Sequence, residues 1–129
     1  THNYTLGSSA ASDVYKRQVN TLINLFILIH LMSEIKNNEE NLQNLYEVFK
    51  SFESAEEAKL FLEDLCTPVD LMAMAARWRV VKELKKDKPY RQIHAETGVS
   101  LTTISRVARC LSYGTNGYNT IYNKINKES

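Results

Sequence analysis

Hydroxyl and guanidinium side chains recur between residues 102 and 109 at a spacing that suits contact with nucleic acid. Thr102, Ser105, Arg106 and Arg109 follow one another at three- or four-residue steps or as neighbours, so one face of a helix would carry them. Such groups hydrogen-bond both base edges and phosphates in the major groove. The pattern predicts a DNA-binding surface, and its candidate residues are Arg91, Gln92, Ser100, Thr102, Thr103, Ser105, Arg106 and Arg109.

A helix-turn-helix at about residues 90–112 would position this surface. A short helix carrying Ile93 runs into Gly98, and glycine takes a left-handed turn without steric conflict. Ser100 suits the N-cap of a second helix. A helical hairpin with a merely solvated polar face is the alternative, but turn, cap, apolar stripe and basic face occur together here. The second helix would bury Leu101, Ile104, Val107, Ala108 and Leu111.

The charge of the chain is divided between two regions, although its formal net value is only +1. Residues 34–70 carry ten acidic and three basic side chains, whereas residues 77–109 carry nine basic and three acidic ones. Positive potential therefore concentrates on the half that holds the helix-turn-helix, where a phosphate backbone would be attracted. The two halves could also pair with each other by charge.

Residue patterns typical of enzymes and metal sites do not occur. Cys66 and Cys110 lie far apart without C-x-x-C spacing, and the histidines are scattered at positions 2, 30 and 94. No triad arrangement, glycine-rich phosphate loop or H-E-x-x-H motif is present. We expect buried thiols in a reducing, cytoplasmic setting, no metal, and a protein that is not an enzyme.

The first thirty-one residues differ in character from the rest. Residues 1–18 are rich in small and polar side chains without periodicity and are expected to be disordered, while residues 19–32 form an apolar run. That run is shorter than the ~20 residues of a membrane-spanning helix and contains Asn20, Asn24 and His30, so no membrane association is expected. We interpret 1–31 as a disordered or non-native extension, and 32–129 as one helical domain starting at Met32.

Helical periodicity dominates from residue 40 onward, and no strand-like alternation occurs. The first predicted helix covers about residues 40–52, the second begins at Ser54, and the third runs from Thr67 and Pro68 to about residue 86. The two helices of the helix-turn-helix follow, and a last helix is predicted over residues 118–125. The fold class is all-α with five to six helices. Its apolar surface exceeds what one small bundle hides, which favours a homodimer. In the third helix the expected buried positions are Leu71, Met74, Ala75, Trp78, Val81 and Leu84 or Lys85.

Residues 65–111 resemble the Trp repressor superfamily, and in detail the smaller Trp-repressor-like group of uncharacterised bacterial regulators. The resemblance rests on residues 65–68, 76–84, 97–106 and 109–118, and it covers most of residues 32–122. It implies an intertwined helical dimer that binds operator DNA, with a corepressor tryptophan held between two arginines that match Arg77 and Arg106. At the next position the family has a small glycine where this chain has Val107, and a nearby serine is Cys110.

A valine at position 107 would occupy space that an indole ring needs, so no cofactor is expected and no tryptophan control. Arg77 and Arg106 could still hold the carboxylate of another small corepressor. The sequence therefore predicts a homodimeric, sequence-specific DNA-binding transcriptional regulator, in the first instance a repressor, whose partner is a double-stranded operator. The alternative is a helical protein-interaction module that does not bind DNA.

Overall fold

A computed structural model describes residues 2–128, and the side chains of residues 9–128. Six helices span these described residues: α1 His2–Lys50, α2 Ala55–Leu65, α3 Pro68–Leu84, α4 Tyr90–Thr97, α5 Leu101–Tyr113 and α6 Gly117–Lys127. The all-α prediction and the number of helices are confirmed. The chain divides after Ser54 into two compact units, an N-terminal unit that contains α1 and a C-terminal unit that contains α2 to α6.

The N-terminal unit is a single long helix and its end. Pairs four residues apart connect successive turns, as between His30 and Glu34 at 3.3 Å and between Gln43 and Glu47 at 3.2 Å. Residues 2–18, expected to be disordered, are helical in this structure, and the helix predicted from residue 40 is the last part of α1. Amphipathic periodicity could not indicate this extent, because the upstream residues have none. Whether 1–31 is a separate or non-native extension stays a prediction.

The apolar run of α1 also bears on membranes. The helical segment Ser9–Lys50 contains a stretch with mean hydropathy 1.3, which by length and composition alone could cross a membrane. In the sequence the apolar run covers only residues 19–32, which are too few for a membrane-spanning helix. In the structure this run is part of a continuous helix that includes residues on both sides of it, so the helical segment is long enough to pass the length test.

The start of α3 shows a complete capping box. The Thr67 hydroxyl accepts a hydrogen bond from the Asp70 backbone N–H at 3.3 Å, and the Asp70 carboxylate accepts one from the Thr67 backbone N–H at 3.1 Å. Pro68 occupies the first turn, where its missing N–H has no intrahelical partner to lose. Hydrogen bonds from the Thr67 hydroxyl and backbone lower the pKa of Asp70. The predicted helix start is confirmed.

The core of the C-terminal unit consists of five aliphatic side chains from α3, α4 and α5. Ile104 and Val107 of the predicted stripe are buried, whereas Leu101 is 46% exposed. In α3 the buried pair is Val80 and Val81, and the prediction had omitted Val80. Two successive residues are buried because α3 contacts both α4 and α5, so its apolar face is wider than one helical stripe. The five buried residues are Val80, Val81, Ile93, Ile104 and Val107.

The remaining predicted positions of α3 are less buried than expected. Trp78 and Leu84 pack against the core from its edge, but Met74 and Ala75 are exposed within this unit. The helix ends at Leu84, two residues before the expected end, and Asp87 turns the chain with a φ of 56°. This turn sets the direction in which α4 leaves α3.

Candidate nucleic-acid interface

The connection between α4 and α5 is the turn of a helix-turn-helix. Gly98 ends α4 with a φ of 72°, and its N–H donates to the His94 carbonyl at 2.9 Å. A side chain at this φ would be strained, so glycine is needed here even though no neighbouring atom crowds the position. The predicted turn at Gly98 is confirmed, and only three residues separate the end of α4 from the start of α5.

Two side chains of α4 hold this turn through the backbone. The Thr97 hydroxyl donates to the Ile93 carbonyl at 2.6 Å and accepts from the Val99 N–H at 3.1 Å. The Nδ1 atom of His94 lies 2.6 Å from the Val99 carbonyl oxygen, which can only accept, so Nδ1 carries the hydrogen. In the sequence His94 is one of three scattered histidines. Its spacing of five residues from Val99 matches no helical pattern, so the contact was not predictable from periodicity.

Ser100 and Thr103 form the N-terminal cap of α5. The Thr103 N–H donates to the Ser100 hydroxyl at 3.2 Å, as the prediction of an N-cap requires. The Ser100 hydroxyl in turn donates to the Thr103 hydroxyl at 3.0 Å, and Thr103 is only partly exposed. Both hydroxyls therefore have partners inside the chain, although each was proposed to contact DNA.

Four other candidate residues share the outer face of α5. Together with Leu101 they line a shallow hollow of about 480 Å³. Among residues 2–128 no carboxylate lies within 4 Å of the guanidinium groups of Arg106 and Arg109. The hollow thus presents hydroxyl donors and unneutralised positive charge to solvent, which suits a polyanion. The four residues are Thr102, Ser105, Arg106 and Arg109, and all of them are exposed.

The candidate residues of α4 differ in their surroundings. Arg91 is exposed, whereas the side-chain amide of Gln92 donates to the Glu96 carboxylate at 2.8 Å. Glu96 also accepts a hydrogen bond from the Lys88 ammonium at 2.6 Å and, through its carbonyl, one from Arg79 at 3.4 Å. One N–H of the Gln92 amide is therefore occupied within α4, while its second N–H and its carbonyl oxygen have no hydrogen bond among the described residues.

Lys88 lies at the centre of an ion-pair network, which we call the α3–α4 corner and which comprises Glu83, Lys86, Lys88 and Glu96. The Lys88 ammonium contacts the carboxylates of both Glu83 and Glu96, and Lys86 contacts Glu83 at 3.2 Å. Hydrogen bonds from Lys88, then Lys86, lower the pKa of Glu83, and those from Lys88, then Gln92, lower the pKa of Glu96. The two carboxylates raise the pKa of Lys88. The corner thereby ties the end of α3 to α4.

The two arginines proposed to hold an effector lie on different helices. Arg77 is exposed on α3 and Arg106 is exposed on α5. Within the described part of the chain, no hydrogen bond or ion pair of either guanidinium is present. Val107, which follows Arg106, is 2% exposed and packs in the core with Val80. Its side chain already fills space between α3 and α5.

The sequence of this chain is similar to that of known proteins. A family model described as Trp repressor protein matches residues 40–126. The uncharacterized protein YerC of Bacillus subtilis (strain 168) is 39% identical over 69 residues, which are 54% of this chain and 66% of that protein. The matched region therefore spans slightly less than two thirds of this relative's length.

Two solved structures are similar in both fold and sequence. A TrpR-like protein from Eubacterium eligens ATCC 27750 has 33% identity and a TM-score of 0.65, over 67% of this chain and 90% of the other. A candidate Trp repressor from Staphylococcus aureus has 34% identity and a TM-score of 0.65, over 67% of this chain and 87% of the other. The resemblance inferred from residues 65–111 is confirmed.

Proposed function

This chain belongs to the Trp repressor protein family, in its Trp-repressor-like group, and on that premise we propose that it is a cytoplasmic, sequence-specific DNA-binding regulator that acts as a repressor. The family is one of regulators. In this proposal α5 enters the major groove of an operator, while α4 and the turn support it. Thr102 and Ser105 contact base edges and phosphates, and Arg91, Arg106 and Arg109 supply charge.

The observation that carries the proposal is the outer face of α5. Its arginines have no carboxylate partner among the described residues. Their guanidinium groups are therefore hydrated and available to a polyanion such as DNA. The turn behind it is held by Gly98, Thr97 and His94, so the face is presented on a rigid support. Unneutralised charge on α5, together with a constrained turn in front of it, favours a binding surface over a polar face that only meets water.

Fluorescence anisotropy with a labelled duplex over a salt series tests DNA binding. We expect the affinity of the full chain to fall steeply with salt, because phosphate contacts release counterions. Arg106→Gln should reduce the slope of log affinity against log salt by about one unit. Lys59→Gln in α2 is the matched control and should leave the slope unchanged. Weak binding at every salt concentration would contradict the proposal.

A homodimer is the proposed assembly, because the C-terminal unit leaves several large apolar side chains in water. Leu60, Leu65, Val69 and Met72 are all exposed on α2 and α3. A soluble monomer rarely exposes this many neighbouring apolar groups, and a second copy would cover them. A two-fold dimer would also present two copies of α5 to successive major grooves, about 34 Å apart. Sedimentation equilibrium checks this, and a monomer at micromolar concentration would contradict it.

The same apolar side chains support a second candidate function, a protein-interaction module. The acidic residues of 34–70 would favour a basic partner in that case. The salt series separates the two functions, because an interaction module has no reason to bind duplex DNA.

We propose that L-tryptophan is not a corepressor of this chain. The support is Val107, whose buried side chain takes the place of the glycine that the family resemblance implies beside the indole. A ligand that binds only the folded protein raises its melting temperature. Millimolar L-tryptophan should therefore leave the melting temperature and the DNA affinity unchanged. A concentration-dependent rise that Arg77→Ala abolishes would restore the corepressor mechanism and the arginine pair.

A further inference from the structure

A second hollow lies beside the first one on α5, where α4 begins and α5 ends. Its volume is about 520 Å³, and two tyrosines, two serines, one arginine and one alanine line it. No acidic residue lines it. It shares Ser105 and Arg109 with the first hollow, so the two hollows are adjacent on α5. The lining residues are Tyr90, Ser105, Ala108, Arg109, Ser112 and Tyr113.

The two tyrosines of this hollow have no role in the core. Tyr113 is 87% exposed and Tyr90 is 44% exposed, and neither belongs to the buried core. Tyrosine combines a rigid ring with a hydroxyl donor, and exposed aromatic residues often mark a contact surface. Arg109 provides the positive charge beside them and has no carboxylate partner in the described part of the chain. The hollow therefore offers a cation and several neutral donors to an anion.

The dimensions of the major groove relate this hollow to DNA. Thr102 and Tyr113 lie at opposite ends of one face of α5, and a helix rises 1.5 Å per residue, so they are ~16 Å apart. The major groove is only ~12 Å wide, and recognition helices contact base edges mainly through their N-terminal residues. If α5 enters the groove by its N-terminal end, with Thr102 at the base edges, the Tyr113 end lies outside the groove, where the phosphodiester strand runs.

We propose that this hollow binds a backbone phosphate of the DNA, with Arg109 as the charged ligand and the hydroxyls of Tyr90 and Tyr113 as neutral donors. The inference rests on the proposed function and extends the contact surface to three residues that no sequence pattern singled out, Tyr90, Ser112 and Tyr113. Because a phosphate is present in every duplex, this contact adds affinity without sequence preference. It fixes the angle at which α5 lies in the groove.

The test uses the full chain with Tyr90→Phe and Tyr113→Phe, singly and together, and a labelled duplex of unrelated sequence. We expect a loss of about fivefold in affinity for each hydroxyl, the equivalent of one net hydrogen bond. The salt slope should not change, because no charge is removed. Tyr46→Phe, which removes an exposed hydroxyl from α1, is the matched control and should bind as the original chain does. Unchanged melting temperatures establish that the variants fold.

Three results would overturn the inference. If the original chain binds the duplex and the double variant binds it equally well, the phosphate contact is wrong while the proposed function stands. If the original chain does not bind duplex DNA at all, both fail. If the double variant binds the duplex as the original chain does but no longer broadens the ³¹P resonance of millimolar inorganic phosphate, the hollow is a site for free phosphate instead of a DNA contact.

Discussion

Two cationic regions of the C-terminal unit differ in what their charges contact. At the α3–α4 corner, Lys88 contacts two carboxylates, and its pKa is raised by them. On the outer face of α5, Arg106 and Arg109 contact no carboxylate among the described residues. Charge that is paired inside the chain fixes the position of a helix, whereas unpaired charge is available to a partner outside it. The net charge of the chain, +1, does not show this difference between paired and unpaired charges.

The largest effect should come from removing the core on which both regions depend. Ile104→Ala leaves a cavity between α3 and α5, and we expect a loss of about 2–5 kcal/mol in the free energy of unfolding. Both regions should be lost together when the protein unfolds. Urea denaturation followed by circular dichroism measures the change, and a loss below about 1 kcal/mol would mean that the core repacks or lies elsewhere.

A smaller effect is expected at the cap of α5. Ser100→Ala removes the acceptor of the Thr103 N–H and should lower the free energy of unfolding by about 1 kcal/mol. Ser112→Ala, on the exposed face of the same helix, is the matched control and should have little effect on stability. Equal losses in the two variants would show that the cap does not contribute.

Two variants, one in each cationic region, test whether paired and unpaired charges have different roles. Lys88→Met should lower the melting temperature, because Glu83 and Glu96 lose their common partner, but it should leave the salt slope of DNA binding almost unchanged. Arg106→Gln should do the reverse. Thermal melts and anisotropy on both proteins give the four values. A salt slope that changes equally in the two variants would show that the corner also contacts DNA.

The stability of the protein should depend on pH through the charged groups of the α3–α4 corner. The pKa values of Glu83 and Glu96 are lowered in the folded chain, so the stabilisation they provide is complete above their ordinary value of 4.5 and is lost as the pH falls through the lowered pKa. The raised pKa of Lys88 has the opposite sign, and its contribution is lost only above pH 10.5. Melting temperatures in acid should therefore fall less steeply for Lys88→Met than for the original chain. Parallel curves would contradict this.

The smallest effect concerns the start of the chain. Deletion of residues 1–31 should leave DNA affinity unchanged, because the described side chains among them, from residue 9 onward, belong neither to the core nor to the outer face of α5. Anisotropy on the shortened chain measures it. A large loss of affinity or of helical content beyond the deleted residues would show that the apolar run packs on the rest of the protein.

Local signals explain which parts of the fold were predictable from the sequence. Thr67 and Gly98 each determine a helix end through contacts within a few residues, and both ends were predicted. Val80 was missed because its burial depends on two other helices that contact α3. The length of α1 was missed because its upstream half has no amphipathic period.

The candidate site shows the same division. The outer face of α5 was predicted because its four polar residues follow the period of one helix. The partners of Lys88 were not predicted, since the α3–α4 corner joins residues on either side of the bend at Asp87. The contact of Gln92 with Glu96 spans four residues within α4, a spacing that the helical period does indicate. Which hydroxyls are free for DNA likewise depends on the cap at Ser100, whose contacts with Thr103 were not part of the polar pattern.

The position of the core along the chain has a consequence for folding kinetics. All five buried side chains belong to the single stretch from Val80 to Val107, so the core forms by closing loops of fewer than 30 residues. Loop-closure entropy grows only slowly with loop length, and helical domains of this kind fold faster than sheet proteins. The turn at Gly98 lies inside that stretch. Because Ile104 and Val107 of α5 belong to the core, α5 must be in place when the core forms. The outer surface of α5 is therefore formed together with the core.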